Sequence, residues 1–189
     1  MSTTVYLITP PFTQLNTPYP ATAYLKGFLN TKRISSYQSD LGIEVTNQLF
    51  CKEGLEKLFA AIENNPKEVS ENIARIIALK NDYINTIDAT MAFLKGKQPT
   101  LAHLICSRNF LPEAFRFAQL DDLHWAFGTM GTMDKAKHLA TMYLEDLSDL
   151  IKECVDDHFG FSRYAERLGR SANSFDELYE ALRQPHTYI

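Results

Sequence analysis

The residues with chemical reach fall in a few places along this chain of 189 residues. Thr9, Thr13, Gln14, Asn16 and Thr17 surround Pro10 and Pro11 in a polar stretch that follows the apolar run Val5-Tyr6-Leu7-Ile8. Neutral hydroxyls and amides of this kind can hydrogen-bond a ligand without requiring charge on it. Asp40 closes a second short run, where its carboxylate can either accept from a ligand hydroxyl or cap a helix beginning at Leu41. Cys154 and His158 stand four positions apart, with Asp157 adjoining, a spacing that brings two metal ligands onto one helix face. No second ligand pair accompanies them in the sequence, and Cys154 falls within an apolar stripe, so a buried structural thiol is the plainer reading. Ser107-Arg108, Ser162-Arg163 and the stretch from Arg167 to Arg170 carry scattered basic groups that suit solvated faces. The chain has no GxGxxG and no Walker-type glycine-lysine loop. It has no recognisable nucleophile–base or paired-carboxylate arrangement either.

Composition narrows the classes. Hydrophobic residues make up 45% of the chain, enough to bury a sizeable core. A formal charge of -4 speaks against a nucleic-acid binder, which needs a basic face. No apolar run is long enough for a membrane span, and the first residues lack the order of a signal peptide. The three cysteines, Cys51, Cys106 and Cys154, are odd in number and far apart, as free thiols in a reducing cytoplasm would be.

The elements that must position these groups follow from periodicity. Val5 to Ile8 predicts a strand stopped by Pro10-Pro11, and so little alternation suits a strand covered on both faces. Pro20 opens a helix through Leu29, and Arg33 to Gln38 predicts a second strand ending at Ser39-Asp40. Strand, loop, helix and strand make the opening of a βαβ unit, with ligand space at the carboxyl end of the first strand. Beyond Asp40 helical spacing takes over. Leu41 to Phe50 and Leu55 to Ile62 are separated by Gly54 as a break, and Asn64-Asn65-Pro66 stops the second of them. One long amphipathic segment runs from Lys67 to Leu94, capped by Gly96, and a short helix spans Pro99 to Ser107. Pro112 opens a helix bearing Phe115, Phe117 and Trp125; with Phe110 and Phe127 these aromatics have core spacing. Asp134 caps a long helix whose inward stripe is Ala136, Leu139, Ala140, Tyr143, Leu144, Leu147, Leu150, Ile151, Cys154 and Val155. Two shorter helices follow, over 161–168 and from Ser174 to Leu182, and His186 to Ile189 reads as the start of a third strand.

The front of the chain resembles a known family. Val5-Tyr6-Leu7-Ile8-Thr9-Pro10-Pro11, then Pro18-Tyr19-Pro20, then Ala23-Tyr24-Leu25-Lys26-Gly27-Phe28-Leu29, then a strand into Asp40-Leu41-Gly42 is similar to the N-terminal region of radical S-adenosylmethionine enzymes that carry a cobalamin-binding-type domain. Leu25 and Leu29 match that family's apolar helix face, and Asp40 its acidic strand end. The resemblance implies a cofactor or substrate site at Thr9, Pro10, Pro11, Gln14 and Asp40, with cobalamin as the candidate cofactor. The family's CxxxCxxC loop, whose three thiolates hold a 4Fe-4S cluster for S-adenosylmethionine, does not occur here. The cobalt-binding DxHxxG signature is also absent, and none of His103, His124, His138, His158 or His186 stands in such a setting. The resemblance therefore places the catalytic domain in polypeptide beyond Ile189.

The expected architecture is mostly α with a small parallel β element. Residues 1–62 form a partial, Rossmann-like βαβα start of a doubly wound domain, and 63–189 a large helical insertion packed on it. The expected role is a cytoplasmic cofactor- or substrate-binding segment of a longer radical enzyme, whose partner is the catalytic domain of the same polypeptide. Apolar surface left open in such a segment would favour a homodimer. The competing reading is a stand-alone helical interaction module without catalytic activity. A small acid–base enzyme using Asp40 or a histidine has the least support.

Overall fold

The computed structural model describes residues 4–9, 20–118, 131–157 and 159–161, together with Phe175, Asp176, Tyr179 and Arg183. The fold is mostly helical with a two-stranded parallel sheet. It divides into two compact units, with the boundary between Asn47 and Gln48.

The front unit begins with β1 (Thr4–Thr9), crosses through α1 (Ala21–Thr31) and returns in β2 (Ser35–Asp40). The strands pair in parallel with Thr4 opposite Ser35 and Thr9 opposite Asp40, so both carboxyl ends finish level. Pro20 stands at the N-cap of α1, where its missing N–H costs nothing. Arg33 occupies the left-handed region at φ 56, and Ile34 N–H reaches back to the Leu29 carbonyl at 3.0 Å. A Schellman-type end therefore occupies the position where a strand was expected to start, and β2 begins two residues later. α1 packs on both strands. The expectation of a strand covered on both faces is corrected. Burial alternates along β1: Tyr6 is 57% and Ile8 47% exposed while Thr9 is 2% exposed.

α2 (Leu41–Leu49) leads out of this unit, and α3 (Lys52–Asn64), α4 (Glu71–Ala78), α5 (Lys80–Leu94), α6 (Leu101–Cys106) and α7 (Thr132–Cys154) follow. The break between α2 and α3 lies at Phe50-Cys51, not at Gly54. Cys51 is extended, its Sγ accepts from Gly54 N–H, and Asp88 of α5 takes the Lys52 N–H at 3.0 Å. Gly54 sits inside the first turn of α3, where a Cβ would collide with the carbonyl oxygens of Gln48 and Leu49. The glycine is there for close backbone approach.

The single helix expected from Lys67 to Leu94 is two helices joined at Leu79. That residue sits at φ -91, ψ 12, in a region open to any side chain, so no glycine or proline marks the bend. Ser70 caps α4 through its Oγ, and Glu153 of α7 binds both the Ser70 N–H and hydroxyl. Gly96, at φ 74, ends α5 with Lys97 N–H on the Ala92 carbonyl, as its cap position predicts. Of the helix expected from Pro112, residues 115–118 form a 3-10 turn, and the stretch from residue 119 on lies outside the described residues. Side chains of α4 bind the backbone here. Asn72 Oδ1 accepts the Phe115 N–H, and Arg75 Nε donates to the Glu113 carbonyl. Phe117 is buried and Phe115 is 45% exposed; Trp125 and Phe127 lie outside the described residues.

α7 starts at Thr132, two residues before the expected cap. Asp134 lies in the first turn, where a carboxylate favours the positive helix end. Of its expected stripe, Ala136, Leu139, Ala140, Tyr143, Leu147, Leu150, Ile151 and Cys154 are buried against α4, α5 and α6, while Leu144 and Val155, at the stripe's edges, are only partly buried. No described helix is long and apolar enough to cross a membrane. The expected helices over 161–168 and 174–182, and the strand at His186 to Ile189, fall largely outside the described residues.

Candidate functional site

Of the five expected site residues, Thr9 and Asp40 are described; Pro10, Pro11 and Gln14 lie outside the described residues. Parallel pairing brings Thr9 and Asp40 side by side at the carboxyl end of the sheet. Thr9 is buried. Asp40 Oδ1 accepts from Ile43 N–H at 3.1 Å, and this bond caps α2. One carboxylate oxygen is thus engaged by the helix, and the capping alternative for Asp40 holds.

Next to them, Tyr6 hydroxyl donates to Ser39 Oγ at 2.8 Å, and Ser39 donates to Glu44 Oε1 at 2.9 Å. Glu44 lies in the first turn of α2. This Tyr6–Ser39–Glu44 chain was not singled out from sequence, because the three side chains meet only when β2 pairs with β1. Ser36 Oγ is buried without a hydrogen-bond partner, toward the opposite end of the ladder.

The donor set at the carboxyl end is therefore a hydroxyl and a partly engaged carboxylate, suited to neutral amide or hydroxyl groups of a ligand. The described histidines lie elsewhere: His103 is in α6 and His138 in α7. The cysteines also stand on separate elements. Cys51 Sγ donates to the Gln48 carbonyl, Cys106 donates to the Thr132 carbonyl, and Cys154 is buried in the α7 stripe. Burial pushes the Cys106 and Cys154 thiols up, which disfavours the reactive thiolate. His158 lies outside the described residues, and among those described no group of three or more His, Cys, Asp or Glu could hold a metal ion. Arg108, one of the scattered basic groups, pairs with Glu113 at 2.7 Å.

No family model, curated protein or solved structure matches the chain.

The helical unit holds a polar centre of its own. Asp146 is fully buried on α7, and its Oδ2 accepts from the Tyr83 hydroxyl at 3.2 Å. Its Oδ1 has no hydrogen-bond partner and lies 3.8 Å from Arg116 Nε. Burial pushes the carboxyl up to about 6, against the opposing pull of the Tyr83 hydroxyl, the Ala114 N–H and Arg116. Burial likewise raises the Tyr83 and Tyr143 hydroxyls, so both stay neutral. The inward stripe inferred from sequence omits Asp146, although it stands three residues after Tyr143 and four before Leu150. An acidic residue at a stripe position was the available signal.

Proposed function

We propose that the front of the chain is the opening βαβ segment of a doubly wound, cobalamin-binding-type domain in a cytoplasmic radical S-adenosylmethionine enzyme. In this reading it holds a small-molecule cofactor or substrate at the carboxyl end of β1 and β2. Thr9 and Asp40 stand at that end; the family resemblance adds Pro10, Pro11 and Gln14 to the site, and cobalamin is the candidate cofactor. The iron–sulfur chemistry belongs to a catalytic domain in further polypeptide. One observation carries the reading: two parallel strands joined by a helical crossover end level at Thr9 and Asp40, where open α/β sheets bind ligands. Tyr6, Ile8 and Tyr37 are exposed on the strands, apolar surface that the further layers of a doubly wound domain would cover.

The natural reading frame tests the assignment directly. A CxxxCxxC loop encoded downstream supports it, and a frame without one removes it. A visible-absorption titration of the chain with cobalamin then separates the cofactor from the family. Spectral change that saturates, and is lost in Thr9→Val, supports cobalamin binding at this end; an unchanged spectrum leaves only a substrate-binding role.

A second reading is a helical interaction module. It is favoured by the helical unit, Gln48–Gly160, which encloses its own core around Leu55, Ile76, Ile87 and Leu147.

A further inference from the structure

Three carboxylates of α7 face one cation. Arg116 donates to Asp149 Oδ2 from Nε at 3.0 Å and from Nη2 at 2.7 Å, and to Glu145 Oε2 from Nη1 at 3.3 Å. Its Nε also stands 3.8 Å from Asp146 Oδ1. Among the described residues, no other lysine or arginine makes a salt bridge to these three acids. A single guanidinium cannot neutralise three carboxylates, so the cluster favours uptake of a proton. The carboxyl with no solvent access is where that proton is held most strongly. Asp146 is that group, at 0% exposure against 39% for Glu145 and 35% for Asp149.

The location gives the proton a structural consequence. Asp146 belongs to α7, accepts from the Tyr83 hydroxyl of α5, and faces the segment running into the 3-10 turn. The same segment supplies Arg116, and α4 holds it through Asn72 and Arg75. The seat of residues 111–118 thus adjoins the buried Asp146 through Arg116.

We propose that Asp146 is a proton-operated latch for this segment. With the proton bound, a neutral carboxyl sits in the core, and Arg116 stays on Asp149 and Glu145. When the proton leaves to solvent, the buried charge competes with Asp149 for Arg116, and the seat of residues 111–118 loosens. The groups around Asp146 are Tyr83 from α5 with Arg75 beyond it from α4, Arg116 from the segment, and Asp149 and Glu145 from α7, which share that guanidinium. Tyr83 and Tyr143 stay neutral throughout the range concerned.

Amide hydrogen exchange of the full chain as a function of pH tests this. After correction for the intrinsic exchange rate, opening at the Phe115 and Phe117 amides should rise by about a hundredfold between pH values below and above the Asp146 transition, which lies at about 6 against an ordinary 3.8. Amides within α3, remote from the cluster, should show no such rise. Asp146→Asn should remove the excess and leave these amides protected at both ends of the range. A wild-type chain without the excess, or an excess that persists in Asp146→Asn, overturns the proposal. If that variant does not fold, carboxyl carbon NMR of the wild type decides. A midpoint for Asp146 well above those of the exposed aspartates supports the latch, and one at or below them overturns it.

Discussion

Tyr143 and Tyr83 are joined twice. Their rings stack with centroids 5.0 Å apart, and the Tyr143 hydroxyl donates to the Tyr83 carbonyl at 3.0 Å. Both are fully buried, so the pair ties α5 to α7 through apolar area and a polar bond together.

The two hydroxyls should differ in worth. Tyr143→Phe removes a donor from a helical carbonyl that Thr86 also approaches, at a cost of about 1 kcal/mol. Tyr83→Phe takes the donor from a buried carboxyl and should cost about 2 kcal/mol. Urea denaturation of both variants at neutral pH checks the order.

Gly54→Ala discriminates between propensity and packing. Propensity alone favours alanine within a helix by about 1 kcal/mol. The added methyl would meet backbone oxygens of Gln48 and Leu49, which cannot rotate away, so the variant should instead be destabilised by about 2 kcal/mol. A gain in melting temperature would contradict this reading.

Arg33→Gly should act in the opposite direction. Arg33 carries a side chain at φ 56, and glycine relieves that strain while keeping the helix end, worth about 1 kcal/mol of added stability. Thermal unfolding followed by circular dichroism measures it.

Asp40→Ala removes the cap of α2 and should cost about 1 kcal/mol, whereas Asp40→Asn retains the acceptor and should cost little. Chemical denaturation of both variants separates capping from a role for charge.

Asp146 gives a pH dependence with a definite sign. Its folded-state carboxyl is pushed up to about 6 from an ordinary 3.8, so the proton binds more tightly in the folded state. The stabilisation this provides is fully present below the ordinary value and is lost as pH rises through about 6, a change of up to about 3 kcal/mol. Asp146→Asn should flatten that part of the stability profile and equal or exceed the wild type at neutral pH. Equilibrium unfolding across the range, compared between the two proteins, reads the effect.

Local chemistry was legible in the sequence. Pro20 and Gly96 mark helix ends, the Asp40 carboxylate caps α2, and the α7 stripe is buried, because each depends on neighbours within a turn or two. The positions of Thr9 and Asp40 at strand ends were legible for the same reason. Their adjacency was not, since it depends on register between strands separated by a helix. The bend at Leu79 and the role of Gly54 also escaped, because neither shows in periodicity. At Gly54 the constraint is the backbone oxygens of Gln48 and Leu49 at the end of α2, which composition cannot reveal.

By itself the sequence determined a mostly helical chain with an α7 stripe and strands ready to pair. Only the tertiary structure decided which polar groups share a dry interior. Asp146 becomes a buried acid because the fold brings Tyr83 and Arg116, distant along the chain, against it.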